Sequence, residues 1–509
     1  MAAALFLKGE RAEADAIAAL AAENPFTESR LAREQAVLGE RWSEPTTQHP
    51  SEWSAPGPNP NIIALAERAE GLLDGARPRF LKARGKAPES AGATYQDLVF
   101  FVLFNRLTQP LEQLIERCAK APNESPRAGG FKELREGLAH YLPDGLIGAY
   151  QNVGYERLFA VFFQIRRAYR HIASALTGTS PPARRLRARV WQSVFTRDMH
   201  RYQRALAVRM GDIITLITGP SGSGKEQVAL SLGWSRYIPY DAQRQSFAAN
   251  YRALFFPVNL SALSPTLIES ELFGHRKGAF TGALQEREGY LETCGPFGTV
   301  FLDEIGEVDS AIQVKLLRVL QTRNFARIGD TLTRPFEGKL MAATNRDLEV
   351  EMRAGGFRQD FYFRLCADRI QTPALREIID QSPGELERIV HYIADRFAGP
   401  DEASRLTDEV MAIITTQLGE AYPWPGNFRE LEQCVRNVLV HGEYHPVDAQ
   451  ANVVDSSPVA DAFAAGHPMP AEALLRLYVR QVIQQCQTYE EASRILEMDR
   501  RTIKRYLET

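Results

Sequence analysis

Up to residue 182 the apolar positions recur three and four apart, the spacing of helices with one buried face. Leu158, Phe162, Ile165, Tyr169, Ile172 and Leu176 give the clearest such stripe. The sharpest interruption is Ser43 to Pro60, with five prolines, and softer breaks fall at Lys86 to Ala93 and Ala121 to Gly130. No strand-turn-helix alternation occurs here, which argues against a phosphoacceptor receiver domain built on a parallel sheet. Pro181 and Pro182 are expected to end this region. Arg184, Arg185, Arg187 and Arg189 follow and read as a solvated connector helix. Beyond it the texture changes to short β-rich runs, at Ile213 to Thr218, Phe255 to Leu260, Thr299 to Leu302 and Leu340 to Ala343, separated by helical stretches. That alternation predicts a parallel sheet with crossovers. The expected organisation is a helical domain over 1–182, an α/β core over 183–372, a helical subdomain over 373–445, a linker over 446–469 and a compact helical unit over 470–509.

Composition adds limits. A length of 509 residues is a prior for three or four domains at about 150 residues each. With 44% hydrophobic and 24% charged residues the chain has the composition of a soluble globular protein. Sixty basic against 63 acidic residues give a net charge of −3, so any nucleic-acid-binding surface must be local. Cys118, Cys294, Cys366, Cys434 and Cys486 are odd in number and widely spaced, which fits neither a disulfide framework nor a zinc site and suits a reducing cytoplasm. The longest strongly apolar run, Leu98 to Phe104, is far short of the roughly 20 residues of a membrane span, and no export signal precedes it.

Gly219, Pro220, Ser221, Gly222, Ser223, Gly224 and Lys225 follow the first strand and open a helix, the context of a phosphate-cradling loop. Glycines let backbone amides wrap phosphates and Lys225 supplies a point charge; Glu226 stands where most such loops place a Ser or Thr. A plain Gly/Ser turn is the alternative. The apolar strand at 299–302 ends in Asp303 and Glu304, where a magnesium-holding and a water-polarising carboxylate are expected, or else a solvated turn. Gly278, Ala279, Phe280, Thr281, Gly282 and Ala283 suit either an exposed contact loop around one aromatic or a buried tight turn. Near the end, Thr488 and Glu491 have capping-box spacing before a short helix carrying Ala492, Ile495 and Leu496. Asp499 then caps a second helix with Ile503 and Leu507 inward, leaving Arg500, Arg501, Lys504 and Arg505 outward, a helix-turn-helix pattern.

Together these segments, with GluLeuPheGlyHis at 271–275, PheLeuAspGluIleGlyGlu at 301–307, AlaAlaThrAsnArgAspLeu at 342–348 and TrpProGlyAsnPheArgGluLeu at 424–431, resemble the bacterial enhancer-binding proteins, AAA+ activators of sigma-54 RNA polymerase. The resemblance covers roughly 188–445, and the C-terminal unit is similar to the Fis-type helix-turn-helix of that family. It implies an AAA+ α/β ATPase with a helical lid, an oligomeric ring, usually a hexamer, with ATP between protomers, and cytoplasmic action on sigma-54 holoenzyme from upstream double-stranded DNA. The family also carries Glu after the loop lysine.

Carried over by position, Lys225 would bind phosphate, Asp303 would hold Mg2+, Glu304 would polarise water, and Asn259 would switch that glutamate. Thr344 and Asn345 would sense the γ-phosphate, Arg429 would sense nucleotide, and residues 278–283 would touch sigma-54. Arg358 and Arg364 would reach the neighbouring protomer's nucleotide; on one continuous helix they would stand roughly 120° apart. Asn427 and Glu430 have capping spacing at the helix that carries Arg429. Thr372 to Glu377 departs from the family by lacking a second proline and the following arginine, which puts lid attachment in question. The front region matches no sensory domain; a regulatory module for an unknown signal or partner, or a purely structural appendage, both suit it. The rival functions are a DNA-binding repressor and an AAA+ remodelling ATPase without sigma-54 activation. The intact 278–283 segment weighs against the first and the terminal helix-turn-helix against the second.

Overall fold

The computed structural model describes residues 5–43, 59–83, 88–382, 384–446 and 489–508, with scattered positions from 470 to 482. The expected linker, apart from its first residue, and most of the Ser43 to Pro60 loop lie outside them, as does Thr488. The front region is helical throughout its described residues: α1 (Glu10–Ala22), α2 (Glu28–Leu38), α3 (Pro60–Ala83), α4 (Glu89–Arg106), α5 (Thr108–Lys120), α6 (Phe131–Tyr141) and α7 (Tyr155–Ala175). In α4 the run from Leu98 to Leu103 is buried without a break, so this helix is central and its apolar run is core rather than membrane span. Among the described residues no helix is long and apolar enough to cross a membrane.

Pro181 and Pro182 do not end the helical region. They occupy the first turn of α8 (Pro181–Phe195), where a missing N–H breaks no helix bond. The connector arginines are only partly solvated: Arg185 and Arg189 are exposed, Arg184 and Arg187 half-buried. Arg187 donates to the carbonyls of Leu176 and Gly178, both at 2.7 Å, and Arg189 pairs with Asp368 at 2.8 Å.

The α/β part follows as β1 (Thr215–Thr218), α9 (Lys225–Trp234), a hairpin of β2 (Tyr240–Asp241) and β3 (Ser246–Phe247), β4 (Phe255–Asn259), a second hairpin of β5 (Gly274–His275) and β6 (Arg287–Glu288), and β7 (Thr299–Asp303). Then come α10 (Ser310–Thr322), a third hairpin of β8 (Asn324–Ala326) and β9 (Thr333–Pro335), β10 (Lys339–Thr344), α11 (Gln359–Leu365) and β11 (Asp368–Gln371). The main sheet is five-stranded in the order β11-β1-β10-β7-β4, and every neighbouring pair is parallel. Four of these strands are the predicted ones. The apolar pattern does not reveal β11, because only Ile370 of its four residues is buried.

The β2–β3 hairpin ties the sheet domain to the front helices. Tyr240 and Phe247 share a cluster with Phe159 and Phe163 of α7, and Asn250 donates its side-chain amide to the carbonyls of Cys118 and Ala121. Arg167 of α7 is buried between the rings of Phe163 and Tyr251, 4.7 Å from each centroid. Front helices, sheet and lid thus lie in one compact unit, Met1–Glu443, rather than separating at residue 182. The lid comprises α12 (Leu375–Asp380), α13 (Glu385–Ala398), α14 (Pro400–Ile413) and α15 (Asn427–His441).

The second unit, Tyr444–Thr509, contains α16 (Tyr489–Leu496) and α17 (Arg500–Glu508). Asp499 caps α17 by accepting from the N–H groups of Arg501 and Thr502, and Ile503 and Ala492 are buried, as the pattern predicts. Ile495 instead faces outward, 55% exposed. Arg500, Arg501, Lys504 and Arg505 are all exposed on the outer side of α17.

Candidate nucleotide site

The turn from β1 into α9 forms the cradle. Gly219, Gly222 and Gly224 have φ of 151°, 72° and 90°, so the loop uses backbone that side-chain-bearing residues rarely adopt. Space enforces two of them as well. A Cβ at Gly219 would come within 2.0 Å of Thr372 Oγ1, and one at Gly222 within 2.2 Å of the Gly426 carbonyl. Lys225 Nζ donates to the carbonyls of Gly219 and Pro220, both at 3.1 Å. Burial lowers the Lys225 pKa, while the carboxylates of Glu304 and Asp303 oppose that shift. Ser223 Oγ meets Thr372 Oγ1 at 2.7 Å, so Thr372 braces the loop from behind. Gly222→Ala should therefore push the lid off the loop and weaken ATP binding by about tenfold, since strained backbone costs about 1–3 kcal/mol; titration with a fluorescent ATP analogue checks it.

The strand ends converge on this loop. Register pairs Asn259 with Asp303 and Thr218 with Thr344. Burial raises the Asp303 carboxyl above its usual range, against the opposing pull of the Glu304 N–H and Lys225. Glu304 holds φ 56°, a left-handed conformation uncommon for a residue with a side chain, and its Oε2 accepts from the Asn345 N–H at 3.4 Å. Thr344 is buried and its Oγ1 accepts from the Arg346 N–H, while Asn345 is exposed. Asn259 Oδ1 accepts from the N–H and hydroxyl of Ser261, at 3.1 and 2.8 Å, and no bond to Glu304 is formed. Glu226, the second residue of α9, is exposed.

From the lid, Arg429 Nη1 reaches Ser221 Oγ at 3.3 Å and the Phe428 N–H donates to the Gly222 carbonyl. Asn427 does not cap α15. Gly426 takes that position and Asn427 sits at φ 52°, where its side chain bonds the Ser221 carbonyl at 2.9 Å and the Leu375 N–H at 2.8 Å. Glu430 does reach back, accepting from the Gly426 N–H at 2.8 Å. The unusual segment at 372–377 is thus well attached, through Thr372, Leu375 and the bonds from Arg376 to the carbonyls of Glu420 and Tyr422.

Arg358 and Arg364 are exposed, and no hydrogen bond or ion pair links them to the loop residues. The single continuous helix expected for them does not form. Arg358 is the extended residue before α11, paired with Asp360 at 2.8 Å, while Arg364 lies in the helix's last turn, beside the exposed Phe363. Residues 278–283 form the tip above the β5–β6 hairpin, with the Gly278 N–H bonded to the Ala283 carbonyl at 2.8 Å and φ of 83° and 100° at Gly278 and Gly282. Thr281 is exposed, Ala283 is buried, and Phe280 is half-buried with its ring edge against His275, centroids 5.0 Å apart. Ala279 leans on Gly329 of the neighbouring turn.

A parallel sheet of this strand order, a phosphate loop after β1, acidic residues ending β7 and a helical lid over the loop define the AAA+ ATPase class. Residues 194–371 match the Sigma-54 interaction domain, an AAA+ ATPase module. Over 229 residues the chain is 42% identical to a Nif-specific regulatory protein of Enterobacter agglomerans, covering 45% of this chain and 40% of that protein. It is 41% identical over 258 residues to the transcriptional regulatory protein ZraR of Klebsiella oxytoca, covering 50% and 54%. The chain thus spans about half the length of the curated relatives it matches. Among solved structures, NtrX from Brucella abortus in complex with ATP aligns over 78% of this chain and 86% of its own at 23% identity, with a TM-score of 0.38.

Proposed function

We propose that the chain is a cytoplasmic, ATP-driven activator of sigma-54 RNA polymerase that binds upstream DNA and remodels the closed promoter complex. The observation that carries this reading is the presence, in the stretch matching the Sigma-54 interaction domain, of a complete phosphate loop and a 278–283 tip whose Gly278, Thr281 and Gly282 are exposed. The names of the relatives, regulators of transcription, agree with it.

In this reading the 219–225 loop and Lys225 hold the ATP phosphates and Arg429 and Asn345 report on them. Glu304 orients the attacking water, its backbone strain fixing the carboxylate beside the loop. The oxygen donor of Asp303, at a strand end beside Lys225, fits Mg2+, which would neutralise phosphate charge when bound. Asn259 would have to leave Ser261 to engage Glu304. Arg358 and Arg364, both exposed, suit a neighbouring protomer's nucleotide in a hexameric ring, Arg364 being the better placed because Arg358 is held by Asp360. Arg500, Arg501, Lys504 and Arg505 would contact DNA through phosphates and base edges. The domain boundaries at 182, 372 and 445 mark functional parts, the front region serving as the control module for a signal or partner still to be identified.

Gel filtration with sigma-54 in the presence of ADP and aluminium fluoride, which mimics the transferring phosphoryl group, tests the reading. Co-elution that needs the nucleotide mimic is expected. Separate elution, with ATP hydrolysis intact, would favour an AAA+ ATPase that acts on another target.

A further inference from the structure

The front region grips the nucleotide module at two places on opposite sides of the lid hinge. One grip is α7 on α9, the helix that starts at Lys225. Gln164 Nε2 donates to the Ser235 carbonyl at 2.8 Å and Arg167 Nη2 to that of Arg236 at 2.7 Å. The other is at the end of α7, where the chain runs through 176–180 before α8. There Glu385, the first residue of lid helix α13, is fully buried. Its Oε1 accepts from the N–H of Thr179 at 2.5 Å and of Ser180 at 3.3 Å, and its Oε2 accepts from Thr179 Oγ1 at 2.7 Å and from Arg388 at 2.6 Å. Tyr392 of the same helix donates its hydroxyl to the Ser174 carbonyl at 3.4 Å. The fit leaves no slack: a Cβ at Gly178, which has φ 111°, would lie 2.6 Å from Glu385 Oε1.

A buried carboxylate is costly unless its lone pairs are filled, and here donors from Thr179, Ser180 and Arg388 fill them. Burial pushes the Glu385 carboxyl up, but the bonds from Arg388, Thr179 and Ser180 outweigh it and hold the pKa below the usual carboxylate value. Its place in the first turn of α13 adds the favourable end of the helix dipole. On its other side the lid packs α13 against α15, whose Phe428 and Arg429 close on Gly222 and Ser221. A mechanical path therefore runs from α7 through 176–180 and Glu385 to the arginine over the phosphate loop.

The geometry points to Glu385 as a positioning residue for the ATPase reaction: by bonding the lid to Thr179 and Ser180 it sets where Arg429 stands over the nucleotide, and through it the front region controls ATP binding. This rests on the ATPase reading and adds a route of regulation to it. Glu385 touches no substrate itself. Its removal leaves the N–H groups of half-buried Thr179 and buried Ser180 without this acceptor and frees the lid, so the effect falls on nucleotide binding rather than on the hydrolytic step.

The test is steady-state ATPase kinetics on the full chain carrying Glu385→Ala, Glu385→Gln, Arg429→Ala and the double variant Glu385→Ala with Arg429→Ala, with hydrogen exchange read over 176–182. Glu385→Ala is expected to raise KM for ATP about tenfold with kcat within about twofold, the factor that loss of one charge-assisted buried hydrogen bond gives. Glu385→Gln should fall between it and the wild type. Arg429→Ala should cost less in the Glu385→Ala background than alone, since a free lid no longer presents Arg429. If Glu385→Ala fails to fold, Thr179→Ala removes one donor and should shift KM in the same direction. Faster exchange at 176–182 with an unchanged KM, or fully independent effects at 385 and 429, would overturn the proposal. A wild-type chain that turns over no ATP would overturn the ATPase reading as well, which separates the two failures.

Discussion

Glu304→Gln should lower kcat for ATP hydrolysis by about 10²- to 10⁴-fold, the range a positioned general base supplies, while leaving ATP affinity within a few-fold of wild type. The amide keeps the size and the acceptor that Asn345 N–H uses, so the strained turn at φ 56° survives. What would be lost is the charge proposed to orient and polarise water. In the proposed reading nucleotide binding rests instead on Lys225, the glycine loop and the lid contacts, none of which touches the Glu304 side chain through a hydrogen bond. Phosphate-release kinetics together with equilibrium ATP titration check both halves. A parallel loss of affinity would mean that Glu304 holds the loop rather than the water.

Phe280→Ala should give the opposite split, ATPase within about twofold of wild type and promoter opening reduced by at least about tenfold. The ring is half-buried, and its one aromatic partner is His275 at 5.0 Å, a contact worth about 0.5–1.5 kcal/mol, too little to unfold the domain. His275 is held independently by Ser270 Oγ at 2.8 Å, so the hairpin below the tip should persist. In vitro transcription beside an ATPase assay on the same preparation separates coupling from catalysis.

Those parts of the site that are contiguous in the chain are legible in it. The loop from Gly219 to Lys225 and the strand ending in Asp303 and Glu304 carry their chemistry within a few residues, and both lie at the C-terminal ends of strands of one parallel sheet. Contacts between distant segments are not legible. Asn427 offers helix-capping spacing, yet tertiary bonds to Ser221 and Leu375 claim its side chain and Gly426 becomes the cap. The angle of roughly 120° between Arg358 and Arg364 supposes one continuous helix, but Arg358 stands before α11 with extended backbone and an ion pair to Asp360. The strand β11 is too short and polar to show an alternating pattern, and the β2–β3 hairpin is shorter still. Glu385 and Thr179 are more than 200 positions apart, and nothing local marks either as the other's partner. The prolines at 181 and 182 were legible only as punctuation, since the same residues close one element or open the next.

The central claim, that ATP hydrolysis in this chain opens a sigma-54 promoter, is tested most directly by permanganate footprinting of promoter melting with purified sigma-54 holoenzyme and a supercoiled template carrying upstream binding sites. The account predicts reactive thymines around the start site with the wild-type chain and ATP, and none with ADP, with Glu304→Gln or with Phe280→Ala. Melting that proceeds without hydrolysis, or that survives Phe280→Ala undiminished, would contradict it.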